Sequence, residues 1–230
     1  MTDKADKVDK GSSSPAPKRI FIVDDHPVVR QGIALLVNQE SDLKVCGDAE
    51  GAASALRDIE RLKPDLVVLD LSLKDGNGLE LIKDLRIRLP KLLILVLSMH
   101  DESFYAERVL RAGAKGYITK DEATGKVIEG IRRILRGEMF LSDRMATKML
   151  SQLTDSRIEA VRPSVENLTD RELQVFELIG SGIGTSEIAK KLHLSVKTID
   201  SHREHIKQKL KLDSAAELVK HAVQWVHLKK

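Results

Sequence analysis

Over the first 137 residues, short apolar runs alternate with longer stretches whose apolar positions recur at helical spacing. Positions 19–24 (Arg-Ile-Phe-Ile-Val-Asp) read as a strand that ends on acids, and Pro27 stands where a helix's first turn accepts proline. Val29, Ile33, Leu36 and Val37 share one side of the helix this predicts over 27–38. The same reading gives strands over 43–47, 66–70, 92–97 and 116–118. It gives helices over 52–61, 78–88, 102–111 and 123–136, the third stopping before Pro90 and the fourth closed by Gly113. Five strands alternating with five helices imply a parallel sheet covered on both faces.

The pattern changes after residue 137. Positions 138–165 read as a linker containing one amphipathic helix over 142–153, with Met145, Met149, Leu150 and Leu153 apolar, followed by a polar tether ending at Arg162-Pro163-Ser164. From 166 to 230 the pattern is all-helical. Thr169 and Glu172 form a capping box that opens a helix carrying Leu173, Phe176, Leu178 and Ile179. A short helix over 185–192 and a turn at His193 and Leu194 lead to Ser195, the N-cap of a longer helix to Leu210; this is the helix-turn-helix pattern. Val196, Ile199, Ile206 and Leu210 fall on its inward side. Ser214 and Glu217 form a second capping box, opening a last helix with Ala215, Leu218, Val219, Ala222 and Val226 in one stripe and Val223 and Trp225 beside it.

Composition narrows the class. The single cysteine, Cys46, excludes an internal disulfide framework and a multi-cysteine zinc site, so a reducing compartment is expected. Residues 1–18 hold almost nothing apolar and read as a disordered lead-in. No signal-peptide core or long apolar span is evident, which gives the expectation of a cytoplasmic protein without a membrane segment. The net charge of +3 is small, but from Lys190 to Lys211 seven Lys or Arg stand against two acids. A solvated helix face and a nucleic-acid contact both fit such a run, and the helix-turn-helix context favours double-stranded DNA.

Candidate chemistry sits where the predicted strands end. Asp24 and Asp25, Asp70, Ser98 and Lys120 all follow apolar runs, so they converge on the edge of the sheet where α/β proteins hold ligands. Asp70 alone reads more readily as a helix cap or turn residue; its company changes that. Carboxylates about 4 Å apart repel by roughly 4 kcal/mol at an effective dielectric of 20, so the cluster needs a cation. Mg²⁺ suits oxygen ligands and can also hold phosphate oxygens. With a hydroxyl and an ammonium alongside, the arrangement reads as a phosphoryl-acceptor site with Asp70 as nucleophile and Lys120 offsetting charge.

These residues, with Asp-Asp-His-Pro at 24–27, resemble the receiver domain of bacterial two-component response regulators over residues 19–137. Leu-Thr-Asp-Arg-Glu, Glu-Ile-Ala-Lys-Lys-Leu and Lys-Thr-Ile-Asp-Ser-His resemble the landmarks of LuxR-type DNA-binding domains over the second half, and together they resemble the NarL/FixJ subfamily. The resemblance implies a flavodoxin-like, doubly wound five-stranded receiver followed by a four-helix DNA-binding domain. It implies that Asp25, Asp70 and the Ser72 carbonyl bind Mg²⁺, with Asp24 acting through water. Asp70 would take a phosphoryl group from a sensor histidine kinase, Ser98 and Tyr117 would reorient as a switch, and Lys120 would contact the phosphoryl group. Lys197, Thr198, Asp200, Ser201, His202, Arg203, Glu204 and Lys207 would face DNA, and a homodimer would form through the last helix, the receiver or both. Groups such as Ser72 and His100 would set the lifetime of the phosphorylated state.

The chain departs from the family at Lys74 and Asp121, where proline is frequent; Asp121 argues against a cis peptide after Lys120. Asp200 and Glu204 also stand where bases are common, so they can accept from cytosine or orient Arg203 but cannot bind phosphate. Two other function classes stay in view. One is a constitutive DNA-binding regulator whose receiver is only a protein-interaction module. The other is a Mg²⁺ phosphohydrolase, against which Ser72 stands where a general acid is needed, so no enzymatic turnover is expected. A calcium loop at 70–78 is disfavoured by Leu73 and Lys74, and His202 and His205 lack an evident third metal ligand.

Overall fold

The computed structural model describes residues 16–73, 76–154, 165–192 and 194–227. The expected lead-in up to residue 15, Lys74, the polar tether over 155–164 and His193 lie outside them. In chain order the first half runs β1 (Lys18–Val23), α1 (Pro27–Asn38), β2 (Leu43–Ala49), α2 (Ala52–Leu62), β3 (Leu66–Leu69), β4 (Ser72–Leu73), β5 (Gly76–Asn77), α3 (Gly78–Arg88), β6 (Leu93–Ser98), α4 (Glu102–Ala112), β7 (Gly116–Thr119) and α5 (Ala123–Leu135). Five strands form a parallel sheet in the order β2-β1-β3-β6-β7. The order reverses at β1 and β3, which places a crevice beyond their carboxyl ends.

Burial of both sheet faces explains why β1 and β3 read as continuous apolar runs rather than alternating ones. Ile33 and Val37 of α1 pack with Val127, Ile131 and Ile134 of α5 under one face. Ala55, Ile59, Ile82, Leu85, Ala106 and Val109, from α2, α3 and α4, cover the other. After Asp70, Ser72 and Asn77 pair antiparallel in the small β4–β5 ladder. Asn77 then caps α3, its Oδ1 accepting from the Leu79 N–H at 2.9 Å.

The second half follows α6 (Asp143–Thr154) and a 3₁₀ turn at Val165–Asn167 with α7 (Asp170–Gly180), α8 (Thr185–Lys191), α9 (Val196–Leu210) and α10 (Ala215–His227). The capping box at Thr169 and Glu172 forms in both directions. At α10 only half of the expected box forms: Ser214 Oγ accepts from the Glu217 N–H, but the Glu217 carboxylate accepts from Asp213 N–H, one residue earlier. Three side chains on α9 and α10 depart from the inward stripe read in sequence: Ala215, at the start of α10, is exposed, as are Val196 and Val219. Val196 is 46% exposed and Val219 40% exposed, because the first lies at the helix start beyond the core and the second rides the rim of α10. Trp225 is buried instead, against Phe176 and, from the first half, Phe104.

Candidate functional site

The ends of four parallel strands supply the first site. Asp24 and Asp25 follow β1 directly, Asp70 follows β3, Ser98 ends β6, and Lys120 follows β7. Backbone hydrogen bonds continue past the strands: Asp70 N–H donates to the Val23 carbonyl and Lys120 N–H to the Ser98 carbonyl, both at 2.8 Å. The returning chain is held equally close. A Cβ on Gly78 would stand 2.3 Å from the Asp70 carbonyl oxygen, so only glycine lets α3 begin there.

Asp24 and Asp70 are each 2% exposed. Lys120 Nζ lies 2.7 Å from Asp24 Oδ2 and 2.8 Å from Asp70 Oδ2, bridging two of the three carboxylates. Burial pushes the Asp70 carboxyl above the ordinary aspartate range despite the Lys120 ammonium beside it. Burial alone would lower the lysine; the Asp70 and Asp24 carboxylates outweigh it and hold Lys120 above its ordinary range. Asp70 Oδ1 is buried and makes no hydrogen bond.

Ligand atoms of Asp24, Asp25, His26 and Asp70 all lie within 4.8 Å of one another. In the sequence His26 figures only within the Asp-Asp-His-Pro run; its Nδ1 sits 2.6 Å from Asp25 Oδ1 and 3.2 Å from Asp24 Oδ1, on an exposed ring. The donor set is dominated by carboxylate oxygens, and among the described residues the Lys120 charge stands against three acids. That arrangement fits a hard divalent cation.

Ser98 and Tyr117, both buried, meet at residue 100. Ser98 Oγ accepts from the His100 N–H at 3.3 Å, and Tyr117 Oη donates to the His100 carbonyl at 2.8 Å. Burial pushes the Tyr117 phenol far above its ordinary range, so it is a permanent donor. Ser72 Oγ lies 3.1 Å from His100 Nε2. The peptide bonds are all trans among the described residues, that after Lys120 included.

From His100 the contacts cross into the second half, which no sequence pattern foretold. His100 Nδ1 lies 3.2 Å from Glu177 Oε2 on α7, and the Tyr105 hydroxyl donates to the same oxygen at 2.7 Å. Lys83 and Arg108 both reach the Asp170 carboxylate, at 2.9 and 3.0 Å. A cleft of about 1060 Å³ lies between the halves, with Asp70, Ser72 and His100 on one wall and Arg171, Lys190 and Lys191 on the other.

The second candidate site is α9. Ser195 caps it, its Oγ accepting from the Thr198 N–H at 3.1 Å. Lys197, Asp200, Ser201 and Glu204 are exposed; Thr198, His202, Arg203 and Lys207 are half-buried along the flanks. Arg203 reaches Thr185 Oγ1 rather than Asp200, and Lys207 pairs with Glu204 at 2.9 Å. Burial lowers the His202 imidazole below its ordinary range. All eight candidate contact residues therefore lie on one helix, four of them on its solvent side.

Comparison with known proteins matches both halves. The family model for response regulator receiver domains matches residues 20–132, and that for bacterial regulatory proteins of the luxR family matches residues 166–222. The oxygen regulatory protein NreC of Staphylococcus carnosus is 36% identical over 210 residues, which is 90% of this chain and 97% of that protein. NreC of Staphylococcus aureus is 35% identical over the same length. Among solved structures, RcsB of Salmonella enterica serovar Typhimurium bound to promoter rprA in the presence of the phosphomimetic BeF3− superposes with a TM-score of 0.63 at 26% identity, covering 90% of this chain and 98% of that one. A LuxR-family two-component response regulator from Aurantimonas gives 0.56 at 32% identity, over 61% of this chain and all of that one. The chain belongs to the two-component response regulators of the NarL/FixJ type, with a receiver domain followed by a LuxR-type DNA-binding domain.

Proposed function

We propose that phosphoryl transfer to Asp70 switches this regulator's binding to DNA. The observation that carries the reading is the state of the Asp70 carboxylate, buried at the sheet edge with Oδ2 on Lys120 and Oδ1 making no hydrogen bond. A sensor histidine kinase is the donor: the bond between phosphorus and the donor's imidazole breaks as the bond to Asp70 forms. Mg²⁺ fits the acidic cluster; Asp25, Asp70 and the Ser72 carbonyl would hold it, with Asp24 through water, and it would offset charge on the phosphoryl oxygens. Lys120, whose ammonium lies 2.8 Å from Asp70 Oδ2, serves the same end. Beyond its own phosphoryl group the chain turns over no substrate.

The modification adds roughly −1.5 to −2 charge at Asp70. Ser98 is the nearest switch hydroxyl on the neighbouring strand, and its movement is felt by the His100 backbone it shares with Tyr117. His100 in turn touches Glu177 of the DNA-binding half. The charge change therefore biases the contact between halves, the two-state element such a switch needs. Lys197, Thr198, Asp200, Ser201, His202, Arg203, Glu204 and Lys207 present the DNA-reading face, and dimerisation through the receiver or α10 brings two copies onto paired half-sites. RcsB dimers bound to two parallel DNAs support that assembly. The receiver is taken as 19–137 and the DNA-binding domain as 166–230, with 138–165 connecting them in the cytoplasm.

One observation favours the alternative of constitutive binding: Lys197, Ser201 and Glu204 are exposed while the halves are packed together. Selecting bound duplexes from a random DNA pool, with and without a small phosphoryl donor and Mg²⁺, separates the two. Switching predicts enrichment only in the treated arm and none with Asp70→Ala. Equal enrichment in every arm establishes the constitutive alternative.

A further inference from the structure

A second groove, of about 780 Å³, lies between α3, α4 and the start of α7, and none of its lining residues lines the cleft on Asp70. Among the described residues, Lys83 and Arg86 of α3 and Arg108 and Arg111 of α4 face it against two acids, Glu107 and Asp170. The Asp170 carboxylate is seated there as an anionic ligand would be, with Oδ2 2.9 Å from Lys83 Nζ and Oδ1 3.0 Å from Arg108 Nη1. The other two cations have partners within the receiver: Arg86 Nη1 donates to the Pro90 carbonyl, and Arg111, its side chain 80% exposed, pairs with Glu107 one turn back along α4. Lysine as a point charge and arginine as a planar fork are the donors that phosphate oxygens take best.

We propose that this groove binds a linear polyphosphate group, carried by a nucleotide or as inorganic polyphosphate, and that the ligand takes the place of Asp170 and undocks the DNA-binding half. Asp170 belongs to the same chain, so it competes at an effective concentration on the order of millimolar. A single phosphate exchanges two contacts for two contacts and gains little against such a competitor. Two or three linked phosphates also engage Arg86 and Arg111, whose present partners are a neutral carbonyl and a surface carboxylate of the weakly held kind. They also carry enough charge to balance four cations that, once Asp170 has left, stand against Glu107. Lys83 and Arg108 do not serve both anions, and Asp170 then faces a polyanion, so α7 moves away from α4. The neighbouring contact of Phe104, on α4, with Trp225 opens with it. The groove is thus an input to the docking equilibrium that does not pass through Asp70.

Trp225 is the chain's one tryptophan and is 8% exposed, with its ring centroid 4.9 Å from that of Phe104, so its emission reports docking. ATP, tripolyphosphate, AMP and inorganic phosphate are titrated into the full chain at fixed ionic strength, with a chelator to keep divalent cations off the phosphates. ATP and tripolyphosphate are expected to shift the emission to the red at concentrations at least about tenfold lower than AMP or phosphate. Equal half-points for the two assign the site to the phosphate chain from either source; a lower one for ATP assigns it to a nucleotide, and a lower one for tripolyphosphate to inorganic polyphosphate. Arg86→Gln/Arg111→Gln leaves the ligand-free emission in place, because Lys83 and Arg108 hold Asp170, and raises the ATP half-point at least about fivefold. Should that double variant lose its native circular dichroism, Arg111→Gln alone, at an exposed side chain, carries the same comparison. All four ligands acting at one concentration would reduce the effect to charge screening and overturn the proposal. So would the absence of any shift, or an ATP response untouched by the substitutions, which places the polyphosphate elsewhere, as on the basic run of α8 and α9.

Discussion

Asp70 is costly to the fold and useful to the switch for the same reason. It is buried, it lies in a cluster of three acids, and it shares the Lys120 ammonium with Asp24. Neutralising it therefore relieves the receiver: in the presence of a chelator, Asp70→Asn is expected to raise the urea midpoint, a gain of roughly 1 kcal/mol. Lys120→Met is expected to lower it, since it leaves two buried carboxylates facing each other; Mg²⁺ titrated into that variant restores much of the loss. Equal midpoints for both variants would show that the cluster carries no electrostatic strain. Asp24, Asp25, Asp70, Ser98 and Lys120 were legible in the sequence because each ends a hydrophobic run, and parallel strands deliver such ends to one edge. The part played by Glu177 was not. It is one acid on an amphipathic helix, and its partner, His100, reaches it only through the packing of two halves that no local pattern encodes.

At the scale of elements, the caps and periodicities fixed most boundaries to within one or two residues, and α1 and α3 match their expected spans. The failures lie at rims. Val196 belongs to the helical stripe of α9 but precedes its first buried turn, and Val219 lies beyond the line where α10 meets α7. That crossing depends on Gly180, where a Cβ would stand 2.4 Å from the Ala222 carbonyl oxygen. Gly180→Ala is expected to cost about 1–3 kcal/mol in denaturant melts, with the receiver's transition unmoved. The capping box at the start of α7 has a pH signature. Burial works against the Glu172 carboxylate, but Lys209 Nζ at 2.6 Å and the Thr169 N–H at 2.7 Å outweigh it, leaving its folded value below the ordinary 4.5; His205 approaches only to 3.9 Å. A lowered folded value means stabilisation fully present above 4.5 and lost as pH falls through that lower value. Glu172→Gln is therefore expected to reduce stability at neutral pH and to flatten its acid limb in thermal melts.

For the whole molecule, the two halves are joined by a small set of specific contacts: Lys83 and Arg108 on Asp170, Tyr105 and His100 on Glu177, and Phe104 on the edge of Trp225. Ion pairs of this kind are individually weak, so the contact is suited to being released by a charge change on one side. Arg108→Glu places an acid against Asp170 and is expected to increase the radius of gyration in X-ray scattering without phosphorylation; an unchanged value would show that the docked arrangement does not depend on that pair. The central claim is that phosphoryl transfer to Asp70 governs DNA binding. Its most direct test is fluorescence anisotropy with a duplex selected by the treated protein, comparing the parent chain and Asp70→Asn before and after a small phosphoryl donor and Mg²⁺. The account predicts affinity at least about tenfold tighter after treatment for the parent alone. Identical affinities for the parent before and after treatment, with Asp70 shown to carry the phosphoryl group, would contradict it.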